Sequence, residues 1–138
     1  MTQIASPLHI FTYRLTGGKV GGTLMGENIL LLTTTGRKTG KERTLPLLYI
    51  PDGDRMVIVA SNGGQARHPA WYFNLRQTPN ATVEIGREKL AVRAQEAMGS
   101  ERERLWALVT SRAPAYEQYR EATTRQIPLM VLQSQGKL

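Results

Sequence analysis

The first segment that could do chemistry is a cationic loop at residues 36–43, which carries four cations against one acid. Its glycines suggest a phosphate-binding loop, but only three residues separate Gly36 from Gly40, where the Walker pattern needs four. Glu42 also stands in the Ser/Thr position that would hold magnesium. A nucleotide-hydrolysing site is therefore disfavoured. The loop can hold an anion through backbone N–H groups and cations, or it can be a solvated connection with surface charges.

A second candidate is the aromatic block at residues 68–75, with the sequence HPAWYFNL. Trp71 and Asn74 are spaced i, i+3 and therefore share one face of a helix. Together they could offer a flat apolar wall and an amide to a heteroaromatic ring. The alternative is that these aromatic residues belong to the hydrophobic core.

A third candidate is the pair Tyr116 and Tyr119, whose phenols could donate a proton or a hydrogen bond in a pocket. The alternative is two surface or half-buried tyrosines. The sequence shows no pairing of a nucleophile with a base, no cysteine and only two histidines. We therefore expect no metal site, and we expect any reactivity to come from a bound cofactor.

The length and charge of the chain limit its domain number and its classes of binding partner. The 138 residues predict one domain, spanning 1–138. The net charge of +7 favours anionic partners, but no helix-turn-helix, RNP or zinc-finger pattern supports nucleic-acid binding. The longest uncharged apolar stretch covers only residues 45–51, so we expect no integral membrane segment. The N-terminus lacks a secretory signal, which predicts the cytoplasm; peripheral attachment at the inner membrane face stays open.

The elements that must position these residues are mostly short strands. We predict six strands, at 28–34, 43–50, 55–61, 81–85, 90–94 and 127–132, and helices at 6–15, at 68–77 and from Ser100 to a break at Pro114. Ser6 would cap the first helix, and the glycine-rich residues 17–22 would form a turn. Pro46 predicts an edge strand or a bulge. Strands that follow one another as hairpins indicate an antiparallel, barrel-like α+β domain.

Several segments, in their order and spacing, resemble the deazaflavin (coenzyme F420)-dependent nitroreductase family. They are LLLTTTGRKTGKERTLPLLYI, VIVASNGG, HPAWYFNL, AYEQY and RQIPLMVL, and the likeness runs from about residue 21 to 132. The resemblance implies a six-stranded antiparallel split β-barrel, similar to the FMN-binding split barrels, with peripheral helices. It also implies hydride transfer from the reduced deazaflavin to an electron-poor acceptor: a quinone, an activated enone or a nitroaromatic compound.

The resemblance also implies a set of site residues. The cations match the family's loop for the polyanionic cofactor tail, and the apolar residues match positions around the deazaflavin ring. Tyr116 matches the tyrosine proposed to protonate or orient the acceptor, Tyr119 is its neighbour, and Ser61 could share that role. The implied cofactor contacts are Arg37, Lys38, Thr39, Arg43, Pro46, Leu47, Leu48, Val59, Ala60, Ser61, Asn62, Ala70, Trp71 and Asn74.

The chain departs from the best-known member of that family at three positions. Asn62 replaces a lysine there, and Leu48 and Ala113 each replace a tyrosine. These changes argue against bulky bicyclic nitroimidazoles as substrates more than against cofactor binding. An FMN-binding split-barrel enzyme and a non-catalytic deazaflavin carrier remain as alternatives, and the chain is expected to be a monomer or a homodimer.

Overall fold

The computed structural model describes residues 7–16, 18, 23–24 and 27–138. Ser6 and most of the glycine-rich turn predicted at 17–22 lie outside the described residues. Four α-helices are present in the described part of the chain: α1 (Pro7–Thr16), α2 (Ala70–Gln77), α3 (Gly99–Arg112) and α4 (Ala115–Glu121). The strands are β1 (Thr23–Leu24), β2 (Glu27–Thr35), β3 (Glu42–Leu48), β4 (Ile50–Asp52), β5 (Arg55–Val59), β6 (Asn80–Ile85), β7 (Glu88–Glu96) and β8 (Leu129–Lys137).

These strands form one curled antiparallel sheet, and this confirms the predicted α+β class. Its order is β1-β2-β6-β7-β8-β5-β4, and β3 pairs with β2. The described residues contain eight strands, so the predicted six is wrong. Two differences account for the higher number. The two-residue β1 is additional, and the predicted strand at 43–50 is divided at Tyr49, because the chain changes its pairing partner there. The Tyr49 N–H donates to the Asn28 carbonyl at 3.0 Å, whereas Ile50 pairs with Val57 of β5.

The prediction from Pro46 is confirmed. Pro46 lies in β3 opposite Leu31, and within the described residues β3 pairs only with β2. Proline has no N–H to offer a second neighbour, so it is tolerated on this edge strand.

Both faces of the curled sheet are buried, because alternate side chains of a strand point to opposite faces. In β2, Leu30 and Leu32 join a cluster that contains residues of six strands together with Trp71 of α2. Ile29 and Leu31 join a second cluster, which α1, α3 and α4 cover. One face of the sheet therefore packs against α1, α3 and α4. The other face curls around its own core, which also includes Trp71 of α2.

Helix α1 is tied to the sheet by its polar and aromatic residues. The buried Tyr13 hydroxyl donates to the Ile29 carbonyl at 3.0 Å and accepts the Gly86 N–H at 2.9 Å. Leu8, Phe11 and Leu15 share one face of α1 at helical spacing, but that face is open: the three residues are 72%, 61% and 67% exposed. None of the helices in the described ranges is long and apolar enough to cross a membrane.

Candidate active site

A cleft of about 1140 Å³ lies between α1, the loop that joins β2 to β3, the first half of β3 and the N-terminal half of α2. Apolar side chains of α1, among them Phe11 and Leu15, face it from one side. Seven of the predicted cofactor contacts line it: Arg37, Lys38, Thr39, Arg43, Ala70, Trp71 and Asn74. The structure thus brings the cationic loop and the aromatic block to one cavity.

The cationic loop is a compact turn. The Gly36 N–H donates to the Lys41 carbonyl, and the Gly40 N–H donates to the Gly36 carbonyl, both at 2.8 Å. A Cβ on Gly36 would lie 3.0 Å from that Lys41 oxygen, so a larger residue would push the turn open. The Lys41 N–H also bonds the Thr39 hydroxyl at 3.2 Å. Three of the loop's backbone N–H groups therefore bond within the loop, and the exposed side chains of Arg37, Lys38 and Arg43 line the cleft.

Asn74 connects this loop to α2. Its side-chain oxygen accepts the Arg37 backbone N–H at 3.0 Å, and its side-chain nitrogen donates to the Thr34 hydroxyl at 3.1 Å. Asn74 and Thr34 are both buried. The Arg37 guanidinium lies 4.5 Å from the centre of the Phe73 ring, which is a cation–π contact. The start of the loop is therefore held at its backbone and at its first cationic side chain.

A second group of predicted residues gathers around the turn after β5. Ser61 and Asn62 are buried there, and Asn62 has a φ of +48°, in the left-handed region that non-glycine residues rarely adopt. The Asn62 side-chain nitrogen donates to the Arg67 carbonyl at 3.0 Å. Its side-chain oxygen is buried without a hydrogen-bond partner, and a buried acceptor of this kind is rare in native proteins.

Helix α4 packs on this turn. A Cβ on Gly64 would lie 3.1 Å from the Ala122 Cβ and 3.2 Å from the Tyr119 carbonyl oxygen. Tyr116 is buried in the same apolar cluster as Leu48 and Val59, and Tyr119 packs against that cluster. The two tyrosine rings meet edge to face with centroids 5.7 Å apart. Burial, with a smaller contribution from Tyr119, raises the pKa of Tyr116 to about 12, so its phenol keeps its proton at neutral pH.

The predicted residues therefore form two groups rather than one. Within the described part of the chain, Ser61, Asn62, Tyr116 and Tyr119 are not among the residues that line the 1140 Å³ cleft. The edge strand β3 runs between the groups: Leu45 lines the cleft, whereas Leu48 packs with Tyr116. Pro46 and Leu47 lie between them on β3, and Ala60 shares a cluster with Trp71.

The sequence interpretation missed three contributors to the site. Thr34 gave a usable signal, because a hydroxyl at the end of an apolar strand and next to a polar loop needs a partner. Phe11 and Leu15 of α1 gave a partial signal, because their helical spacing indicates an apolar face but not the cavity that it lines. Arg125 gave no signal, although it holds the turn after β5 through contacts with Ser61, Gln65 and His68.

Residues 7–134 match the F420H(2)-dependent quinone reductase family. The chain belongs to this family. An F420H(2)-dependent quinone reductase of Mycobacterium tuberculosis is 40% identical over 129 residues, which cover 91% of this chain and 87% of that protein. The chain is an oxidoreductase whose cofactor is coenzyme F420, which confirms the predicted enzyme class and favours F420 over FMN.

Two solved structures agree with this family assignment. An F420-H2 dependent reductase has a TM-score of 0.70 at 40% identity and covers 76% of this chain and 93% of its own. A protein described as a domain-swapped dimer has a TM-score of 0.71 at 35% identity and covers 93% of this chain and all of its own. The likeness therefore extends over fold as well as sequence.

Proposed function

We propose that this chain reduces a quinone with hydride from reduced coenzyme F420, and that the two residue groups bind opposite ends of the cofactor. The observation that carries the proposal is the cleft of about 1140 Å³, which has cations on one wall and apolar side chains on another. A quinone is a flat, electron-poor acceptor, and the family's members are described as quinone reductases. Activated enones and nitroaromatic compounds are the competing acceptor classes.

The cationic loop suits the cofactor's anionic tail. Arg37, Lys38 and Arg43 all line the cleft, where they offer several charged donors to a phosphate or carboxylate. A charge-assisted hydrogen bond contributes about 1.5–3 kcal/mol, so two or three would anchor such a tail. We assign these three cations, with Thr39, to the tail.

The turn after β5 suits the ring. A deazaflavin ring carries an imide N–H, and the buried Asn62 side-chain oxygen is an acceptor that lacks a donor. An unsatisfied acceptor costs about 1–3 kcal/mol, and a ligand N–H would recover that cost. We assign Ser61 and Asn62 to the ring, together with the flanking apolar residues Pro46, Leu47, Leu48, Val59 and Ala60, and we assign Ala70, Trp71 and Asn74 to the wall that closes over it.

When bound, the reduced cofactor supplies a hydride from its ring carbon C5. The chain's own residues orient the acceptor and exclude water. Because its pKa is about 12, Tyr116 remains a proton donor at neutral pH and can hydrogen-bond an oxygen on which negative charge develops. We assign the same role, as further donors, to Tyr119, whose ring contacts that of Tyr116, and to Ser61 in the turn on which α4 packs.

Other parts of the prediction stay proposals. The curled sheet supports a split β-barrel, and the whole chain is proposed as one domain. A relative described as a domain-swapped dimer supports a homodimer over a monomer. A cytoplasmic location, peripheral membrane attachment and the exclusion of nucleic acid remain predictions from the sequence.

The first experiment is a fluorescence titration of the purified protein with oxidised F420, with FMN in parallel. We expect F420 to bind and FMN to bind weakly. Arg37→Ala with Lys38→Ala should weaken F420 binding about tenfold or more. Arg87→Ala with Lys89→Ala removes the same charges from the exposed β6–β7 hairpin and should leave affinity within about twofold. Equal losses in the two double variants would show that only net charge matters.

The acceptor is tested by following oxidation of reduced F420 with a quinone, an enone and a nitroaromatic compound at equal concentrations. We expect the highest kcat/KM with the quinone. A higher value with either other class would replace the quinone in the proposal, and absence of turnover with all three would favour the non-catalytic carrier.

A further inference from the structure

Arg125 lies in the segment between α4 and β8 and is half-buried. Its guanidinium donates to the Ser61 carbonyl at 2.7 Å and to the Gln65 carbonyl at 2.9 Å, and it contacts His68 Nδ1 at 2.9 Å. One side chain therefore holds the beginning, the middle and the end of the segment 61–68. The mechanism proposed above gives Arg125 no role.

The segment that Arg125 holds needs an external tie. Asn62, Gly63 and Gly64 have φ values of +48°, +65° and +80°, so three consecutive residues are left-handed. Inside the turn, the Gly64 N–H donates to the Ser61 carbonyl at 2.9 Å and the Gln65 N–H donates to the Asn62 carbonyl at 3.2 Å. A short run of left-handed residues persists only where its surroundings over-determine it. Arg125 supplies that constraint from outside the turn.

The contact with His68 extends the tie toward the cleft. A guanidinium can only donate, so His68 Nδ1 accepts and the ring is neutral with its proton on Nε2. Burial and the adjacent Arg125 lower the pKa of His68, in agreement with a neutral ring. The His68 ring centroid lies 5.6 Å from that of Phe73, over which the Arg37 guanidinium is stacked. A contiguous set of contacts thus runs from Ser61 to the cationic loop.

We infer that Arg125 is a positioning residue for the cofactor site: it holds the 61–68 segment so that Ser61 and Asn62 meet the deazaflavin ring while α2 closes over the ring and Arg37 meets the tail. This inference rests on the proposed assignment of those residues to the cofactor. The three residues that the Arg125 guanidinium contacts, Ser61, Gln65 and His68, are outside the cleft lining, and two of the three contacts are to the backbone of the turn. Loss of Arg125 should therefore loosen the site without removing a reacting group.

The test begins with the protein alone, in Arg125→Ala and Arg125→Lys variants. Hydrogen exchange at the Gly64 and Gln65 amides should quicken about tenfold or more in Arg125→Ala, since local opening becomes easier. The lysine can reach only part of the three acceptors, so Arg125→Lys should lie between Arg125→Ala and the wild type. Amides of the β6–β7 ladder should be unchanged.

Arg102→Ala is the matched control. Arg102 donates to the Ile127 carbonyl at 2.6 Å, close in sequence to Arg125, but it stacks on Trp106 of α3, away from the turn. The Arg102→Ala variant should lower the melting temperature without quickening hydrogen exchange at the Gly64 and Gln65 amides. Equal exchange in wild type and both Arg125 variants would overturn the inference, whatever the cofactor does.

The second measurement is kinetic. The KM for reduced F420 should rise about tenfold in Arg125→Ala and less in Arg125→Lys, while kcat at saturating cofactor changes less than about threefold. Faster exchange at the turn with unchanged KM would refute a role in the cofactor site. If wild type itself does not bind F420, the proposed function fails, and the exchange result alone decides whether Arg125 positions the turn.

Discussion

Asn74→Ala should remove the connection between α2 and the cationic loop and destabilise the whole protein. The substitution deletes two hydrogen bonds, at 3.0 Å to the Arg37 N–H and at 3.1 Å to the Thr34 hydroxyl. A buried group left without its partner costs about 1–3 kcal/mol. The Arg37 N–H can bond water instead, so the loss of its bond should cost an amount at the low end of this range. Thr34 is 1% exposed, so its hydroxyl cannot reach water and the loss of its bond should cost more. Together we expect a loss of about 2–4 kcal/mol.

Urea unfolding at one fixed protein concentration measures this loss. With an m-value of about 1.5–2 kcal/mol per molar, the midpoint should fall by about 1–2.5 M. The matched variant is Thr34→Val, which keeps the shape of the side chain and the contact between Asn74 and Arg37. It leaves only the Asn74 side-chain nitrogen unpaired and should cost about 1–2 kcal/mol.

The double variant gives the sharper test. With Asn74 already truncated, replacing the Thr34 hydroxyl removes an orphaned group, so the double variant should be no less stable than Asn74→Ala alone. Two effects that add in full would mean that the two side chains do not share a hydrogen bond. A loss below about 0.5 kcal/mol for Asn74→Ala would refute the reasoning about the buried pair.

Three further predictions concern other parts of the molecule. Tyr116→Phe should lower the rate of F420H2 oxidation more than cofactor affinity, and equal rates would show that its phenol is not the donor. Arg104 and Arg55 hold the pKa of Asp52 at about 2, below its ordinary value, so the carboxylate's contribution to stability is present above about pH 4 and is lost as pH falls toward 2. In thermal unfolding, the difference in melting temperature between wild type and Asp52→Asn should therefore shrink as pH falls over that window. Gly64→Ala should destabilise the protein more than Gly63→Ala, because both have positive φ but only at Gly64 does the new Cβ meet Ala122; equal losses by urea unfolding would contradict the packing of α4 on the turn.

Much of the fold follows from local patterns. The apolar run of β2, the polar loop after it and Pro46 on the next strand predict a hairpin with an outer edge, and that is what forms. The helical spacing of Trp71 and Asn74 predicts one shared face, and both residues line the cleft. These inferences succeed because periodicity and turn chemistry act over a few residues. Local patterns predict the boundaries of the strands less well. The predicted strand at 43–50 breaks at Tyr49 because its two halves pair with different neighbours.

The sequence by itself determined the fold class and the family, and through them the enzyme class and the cofactor. Only the tertiary structure decided that Arg125 lies against Ser61, 64 residues away. It also decided that α4 covers the turn at 62–64 and that Phe11 and Leu15 of α1 face the cleft rather than the core. The physical reason is that a sequence pattern reports which side of an element is apolar, whereas its neighbour depends on how the whole chain turns back on itself.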